Sequence, residues 1–152
     1  MHPWRPWMLS DDRGSASLEF LTLGTLLIVP LAYLMLTLSA LQGASVAGES
    51  AARSAARLLA DDPESSETQA LAETTIELAA ADHGFEPHAV AQEVRCSSPD
   101  GNCATPGAVV TVTVTIAVPL PFAPNLTGGA APLSIPTSAT SSFTVTRFGL
   151  ST

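Results

Sequence analysis

The chain has 152 residues, a formal net charge of −8 and a positive mean hydropathy of +0.31. That size allows one domain with an appended helix, but not two sizeable cores. Fourteen acidic residues face six arginines and no lysine, so there is no basic stripe to neutralise phosphates, and nucleic acid is excluded as an expected partner.

The chain order begins with a short polar leader, residues 1–14, carrying Arg5, Asp11, Asp12 and Arg13. A charge-free block follows at residues 20–41 (FLTLGTLLIVPLAYLMLTLSAL). A helix of that length spans ~33 Å at ~1.5 Å per residue, close to the ~30 Å hydrocarbon core of a bilayer. A membrane-inserting helix is therefore predicted. Arg5 and Arg13 precede it and Arg53 and Arg57 follow it, so positive charge alone does not orient it. Pro30 removes a backbone donor within the span and presses on the Leu26 carbonyl, predicting a kink or local loosening.

One carboxylate, Glu19, sits at the mouth of this block. A carboxylate in lipid is costly, ~2.5–3.5 kcal/mol at a helix centre on insertion scales and less near the interface, so it calls for a partner. Taken alone, it also fits a helix-start residue stabilised by the macrodipole. The surrounding residues Arg13-Gly14-Ser15-Ala16-Ser17-Leu18-Glu19-Phe20 carry a more specific signal. They resemble the N-terminus of type IV pilins and pseudopilins, and most closely that of TadE-like proteins, the minor pilins or pseudopilins of tight-adherence (Flp-type) systems.

The resemblance implies cleavage by a prepilin peptidase after Gly14, leaving Ser15 as the new N-terminus and Glu19 as the fifth residue of the mature chain. It implies that Glu19 pairs with the terminal amine of a neighbouring subunit and sets axial register. The implied partners are the prepilin peptidase, other pilin or pseudopilin subunits, and an assembly platform with its ATPase. Gly14 suits the cleavage physically, since a side-chain-free residue lets a protease approach the backbone. A serine start departs from the phenylalanine common in type IV pilins. A signal peptide is the rival explanation, with Ser45-Val46-Ala47 as its cleavage box, but the apolar run exceeds the usual ~7–15 residues.

Beyond Leu41 the helix turns to small residues, QGASVAGESAARSAARLLA. Ser39, Gly43, Ala47, Ala51 and Ala55 recur every four residues, beside a second row of Ala44, Gly48, Ala52 and Ala56. Such rows let helices approach closely. Two uses remain open: Gly43, Ala47, Gly48, Ala51 and Ala55 pack against neighbouring pilin helices, or they cover the chain's own sheet. Glu49, Arg53 and Arg57 are spaced for an exposed ion-pair ladder. The only internal repeat is SAAR, at residues 50–53 and 54–57. Residues 15–60 thus read as one transmembrane and stalk helix.

Residues 61–152 read as an extracytoplasmic α+β domain. Asp61-Asp62-Pro63 breaks the helix, and Asp62 as N-cap predicts a second one over residues 63–83, stopped by Gly84. The acidic residues Asp61, Asp62, Glu64 and Glu67 lack a calcium-loop pattern and read as solvated helix-start charges. Strands are predicted from Ala89, over 109–119 (VVTVTVTIAVP) with Thr and Val on opposite faces, and over 142–148. The Pro- and Gly-rich residues 119–136 read as a loop, with a crossing of the sheet as one route. Asn125-Leu126-Thr127 matches a glycosylation sequon.

Cys96 and Cys103 bracket a strong turn signal, Pro99-Asp100-Gly101-Asn102. The pair reads as a disulfide clamping a hairpin outside the cytoplasm, with two free thiols as the alternative. The expected fold is α+β: a long N-terminal helix, a short second helix and a small three-stranded antiparallel sheet, a pilin-like lollipop. No catalytic set, metal cluster or phosphate loop stands out, so neither enzyme activity nor a cofactor or metal is expected. The functional alternative is an uncleaved single-pass membrane protein presenting a small extracytoplasmic binding domain.

Overall fold

The computed structural model describes residues 15–121 and 133–146. The leader with Gly14, the Asn125 sequon and the end of the predicted third strand at Phe148 lie outside them. The architecture is α+β. Helix α1 (Ser15–Asp61) is followed by helix α2 (Ser66–Ala81), and strands β1 (Val90–Ser97), β2 (Val109–Pro119) and β3 (Ser134–Thr144) form one antiparallel sheet in the order β1-β2-β3. Compactness divides the chain within α1: one unit runs to Leu36, and the other is Thr37–Thr152.

Helix α1 is a single element of 47 residues with Pro30 inside it. Leucine and alanine, both strong helix formers, are its two commonest residues. Helix α2 begins later than Asp62-Pro63 predicts. Ser65 is its N-cap, and the Thr68 N–H donates to Ser65 Oγ at 3.3 Å. The reason is local: Ser65 satisfies an orphan donor in the first turn, and Glu67 adds a carboxylate at the positive end of the helix. Gln69 Nε2 donates to the Pro63 carbonyl at 3.3 Å, holding the linker against the helix. At the other end, Gly84 adopts φ +80°, and the turn lets the Phe85 N–H return to the Ala80 carbonyl. Phe85 then packs against the core.

The core of this unit lies between the sheet and the two helices. Val110, Val112, Val114, Ile116 and Val118, the inward face of β2, are fully buried. They share one cluster with Ala44, Ala47, Ala51, Ala52, Ala55, Ala56 and Leu59 of α1, and with Ala72, Ile76 and Ala80 of α2. Large side chains on the strand and small ones on the helix make a close fit. At Gly48 an added Cβ would stand 3.2 Å from the Ala139 Cβ.

The outward face of β2 is built differently. Thr111 pairs with Ser142, Thr113 with Thr140 and Thr115 with Ser138, hydroxyl to hydroxyl at 2.8, 3.0 and 2.8 Å. This ladder explains the main departure from expectation. Strand β3 runs over Ser134–Thr144 rather than 142–148, because its side chains match β2 by hydroxyl pairing and not by apolar alternation. Pro136 is tolerated because β3 is an edge strand among the described residues. Strand β3 pairs directly with β2 in antiparallel fashion, and residues 122–132 of the predicted loop lie outside the described residues. The Leu120 N–H closes the end of this ladder on the Leu133 carbonyl at 2.9 Å.

Candidate membrane segment and assembly junction

The first half of α1 is apolar on every face. Its most apolar window has a mean hydropathy of 2.1, and none of it is buried among the described residues. Phe20 is 76% exposed and Leu26 72%, with Leu21, Leu27, Ile28, Val29, Leu34 and Met35 also exposed. In water such a surface is strongly unfavourable at ~25 cal/mol per Å² of apolar area, whereas lipid accepts it. Among the described residues this is the one helix long and apolar enough to cross a membrane, and it is compatible with a single-pass membrane protein.

One polar group within the segment has a partner in its own helix. The Thr22 hydroxyl donates to the Leu18 carbonyl at 2.7 Å, so its own proton does not face hydrocarbon. Glu19 is exposed, four residues after Ser15 in the same helix. Positions i and i+4 lie on one helix face, ~6 Å apart along the axis. A terminal amine at Ser15 would therefore lie a turn from this carboxylate, and the same carboxylate is open to a neighbour.

The helix-packing candidates occupy the second unit. Ala47, Gly48, Ala51 and Ala55 are buried in the chain's own core, while Gly43 is half-buried and its Cβ position faces open space. Glu49, Arg53 and Arg57 are exposed, but no ion pair joins them among the described residues. Long exposed side chains gain little by such pairing in water. Arg95 does pair with Glu93, at 2.7 Å across the outer face of β1. The hydrogen bond that Arg95 donates to Glu93, together with the carboxylate's charge, raises the guanidinium pKa further.

Cys96 and Cys103 form a disulfide with Cα atoms 5.7 Å apart. The turn between them follows the composition. Gly101 takes φ +73°, the Asn102 side chain accepts from the Ala104 N–H at 2.8 Å, and the Thr105 hydroxyl donates to Asp100 Oδ2 at 3.1 Å. Cys96 stands opposite Val110 in the sheet, so the bridge ties the loop to the end of the β1–β2 ladder.

A groove of about 410 Å³ opens between α2 and the inward face of β1, lined by Leu59, Ala72, Glu73, Gln92, Val94 and Cys96 among others. Its lining is mainly aliphatic, and Cys96 is committed to the disulfide. Asp61, Asp62, Glu64 and Glu67 do not gather into a metal-holding group among the described residues. Sequence reasoning missed the hydroxyl ladder and the close approach at Gly48. The Thr-x-Thr-x-Thr of β2 and the Ser/Thr run of β3 were the available signal for the first, and the second had none without the register.

The chain matches no protein-family model, no curated protein and no solved structure.

Proposed function

We propose that this chain is a structural subunit of a tight-adherence pilus system, a TadE-like pseudopilin or minor pilin, and not an enzyme. In this reading it is inserted in the cell membrane as a single-pass protein with residues 61–152 outside the cytoplasm. A prepilin peptidase cuts between Gly14 and Ser15. Glu19 then meets the terminal amine of a neighbouring subunit and sets its register. Pilin or pseudopilin subunits are the direct partners, and the platform protein and its ATPase act indirectly.

One observation carries the reading. Helix α1 carries an apolar window of which none is buried among the described residues, and it bears a carboxylate one turn after Ser15. A plain anchor has no need of Glu19. An assembling subunit does, because the charge acquires a partner only when a second helix end lies beside it. The disulfide suits an oxidising compartment for the domain.

The deciding experiment is N-terminal determination on the chain recovered from membranes. A start at Ser15 is expected, and Gly14→Ala should abolish that species. A start at Met1 returns the uncleaved binding protein, and a start after Ala47 returns the signal peptide. Glu19→Ala should leave cleavage intact and reduce incorporation into assembled material. Unchanged incorporation would remove the register role.

A further inference from the structure

The two edges of the sheet are guarded unequally. Strand β1 carries Glu93 and Arg95 among its exposed residues, whereas β3 (SIPTSATSSFT) has no charged residue and only Pro136 to blunt it. An edge without charge, proline or a covering element is open to a further strand.

The register shows which backbone groups β3 leaves unpaired. Its pairing with β2 is unbroken from Val109↔Thr144 to Pro119↔Ser134. Just beyond one end the Val145 N–H donates to the Ala108 carbonyl, and just beyond the other the Leu120 N–H donates to the Leu133 carbonyl. Backbone groups alternate in direction along an antiparallel strand. The odd-numbered residues of β3 therefore bond to β2, and Ser138, Thr140 and Ser142 turn their N–H and C=O groups away from it. Pro136 falls in the outward set, where its missing N–H costs the ladder nothing.

This open edge forms one wall of a polar cleft of about 320 Å³, between residues 138–141 and the side chains of Ser45, Glu49 and Arg53 on α1. Glu49 and Arg53 are exposed, and neither forms an ion pair among the described residues. Gly48 approaches Ala139, while Leu59 lines the groove beside Val110, which pairs with Phe143. Helix α1 and strand β3 therefore advance in the same direction, with Glu49 nearer Ala139 and Arg53 nearer Ser141. The two charges are separated by ~6 Å along the helix. Alternate residues of a strand are ~6.8 Å apart. A strand laid in the cleft thus meets both charges with two side chains of one face.

We propose that the β3 edge takes an extended segment of another protein as a fourth strand, antiparallel to β3, with an acidic residue facing Arg53 and, two residues later, a basic residue facing Glu49. Main-chain hydrogen bonds to Ser138, Thr140 and Ser142 supply the affinity. The two charges of α1 select the partner and fix its direction and register. The site lies wholly within the Thr37–Thr152 unit and does not depend on the pilus reading.

The test uses the full-length chain in detergent micelles and two end-blocked, fluorescently labelled peptides, STSTETRTSTS and STSTRTETSTS, which differ only in the order of their charges. Binding is followed by fluorescence anisotropy. The first peptide should bind about tenfold more tightly than the second. Glu49→Arg with Arg53→Glu should reverse that preference, and the reversal also shows that this variant is folded. Thr140→Pro removes an outward N–H without breaking a bond to β2. It should weaken binding of the first peptide about tenfold and leave the thermal melt nearly unchanged. Hydrogen exchange should show the Ser138, Thr140 and Ser142 amides protected when the first peptide is added. Failure of both peptides to bind, equal affinities, or a preference that the charge-reversed variant keeps would each overturn the proposal. So would protection confined to other amides. Self-association that Thr140→Pro abolishes, with no peptide bound, would give the edge to a second copy and overturn it as well.

Discussion

The two halves of α1 use the same backbone for opposite ends. Up to Leu36 the helix carries leucine, isoleucine, valine and methionine, and these large side chains are left exposed. From Ala44 to Ala60 alanine is the commonest residue, and all seven alanines there are buried, with Leu59 the one large side chain buried among them. Hydrophobicity alone would rank the first half as core and the second as surface. The reverse holds because burial within a chain needs a partner of matching shape. The valine face of β2 already fills the space between sheet and helix, so only small residues fit on α1. The leucine half buries none of its most apolar window among the described residues, which is compatible with a place in lipid.

The largest expected contrast tests that division directly. Ile116→Ala removes a large side chain from the filled core and should cost ~2–5 kcal/mol, the range for such truncations. Leu27→Ala removes a comparable side chain from the exposed segment. It should leave the thermal unfolding of the full-length chain in detergent micelles nearly unchanged. Circular dichroism melts of the two variants under identical conditions measure both. A large loss for Leu27→Ala would mean that the segment packs on the domain, and the division would fail.

The disulfide gives a second and smaller effect, confined to the domain. Cys96 and Cys103 are seven residues apart, and closing so short a loop restricts the unfolded chain by roughly 2–3 kcal/mol on the chain-entropy estimate. Cys96→Ser with Cys103→Ser should lower the domain's melting temperature by that equivalent. Reductant should do the same to the wild-type chain and nothing to the double variant. Identical melts of the wild-type chain with and without reductant would show that the bridge does not form.

The contrast also shows what could be read without coordinates. The apolar block, Gly84 as a helix stop, the Val/Thr strand and the Pro99-Asp100-Gly101-Asn102 turn rest on periodicity or local backbone chemistry, and both are visible in one dimension. Strand β3 was legible only at its end. Residues 134–141 (SIPTSATS) have no apolar alternation, and their partner hydroxyls lie 23 to 31 residues away for the three ladder pairs. The start of α2 was misplaced because Asp62-Pro63 and Ser65 both carry start signals, and the hydrogen bond to Thr68 decides between them. Of the junction, Glu19 was legible as a charge at the mouth of the apolar block, whereas the register role proposed for it involves a second molecule and is not encoded in one helix.

The smallest effect discriminates most finely within α1, between two glycines five residues apart in one helix. Gly43 has open space where a Cβ would stand, while at Gly48 that position is 3.2 Å from the Ala139 Cβ and 4.0 Å from Ile116 Cδ1. Glycine in a helix interior costs ~0.8–1.0 kcal/mol relative to alanine. Gly43→Ala should therefore raise the stability of the domain by about that much. Gly48→Ala gains the same helix propensity but meets Ala139, whose Cβ is fixed to the β3 backbone and cannot swing aside. Either the helix or the strand must shift by a few tenths of an ångström, and overpacking of a filled core costs ~1–3 kcal/mol. The net result should run from no change to a loss of about 1 kcal/mol. The two variants are compared by thermal melts of the full-length chain. Equal gains at both positions would mean that helix and sheet are not in close contact at Gly48, and the account of why α1 carries small residues there would fall.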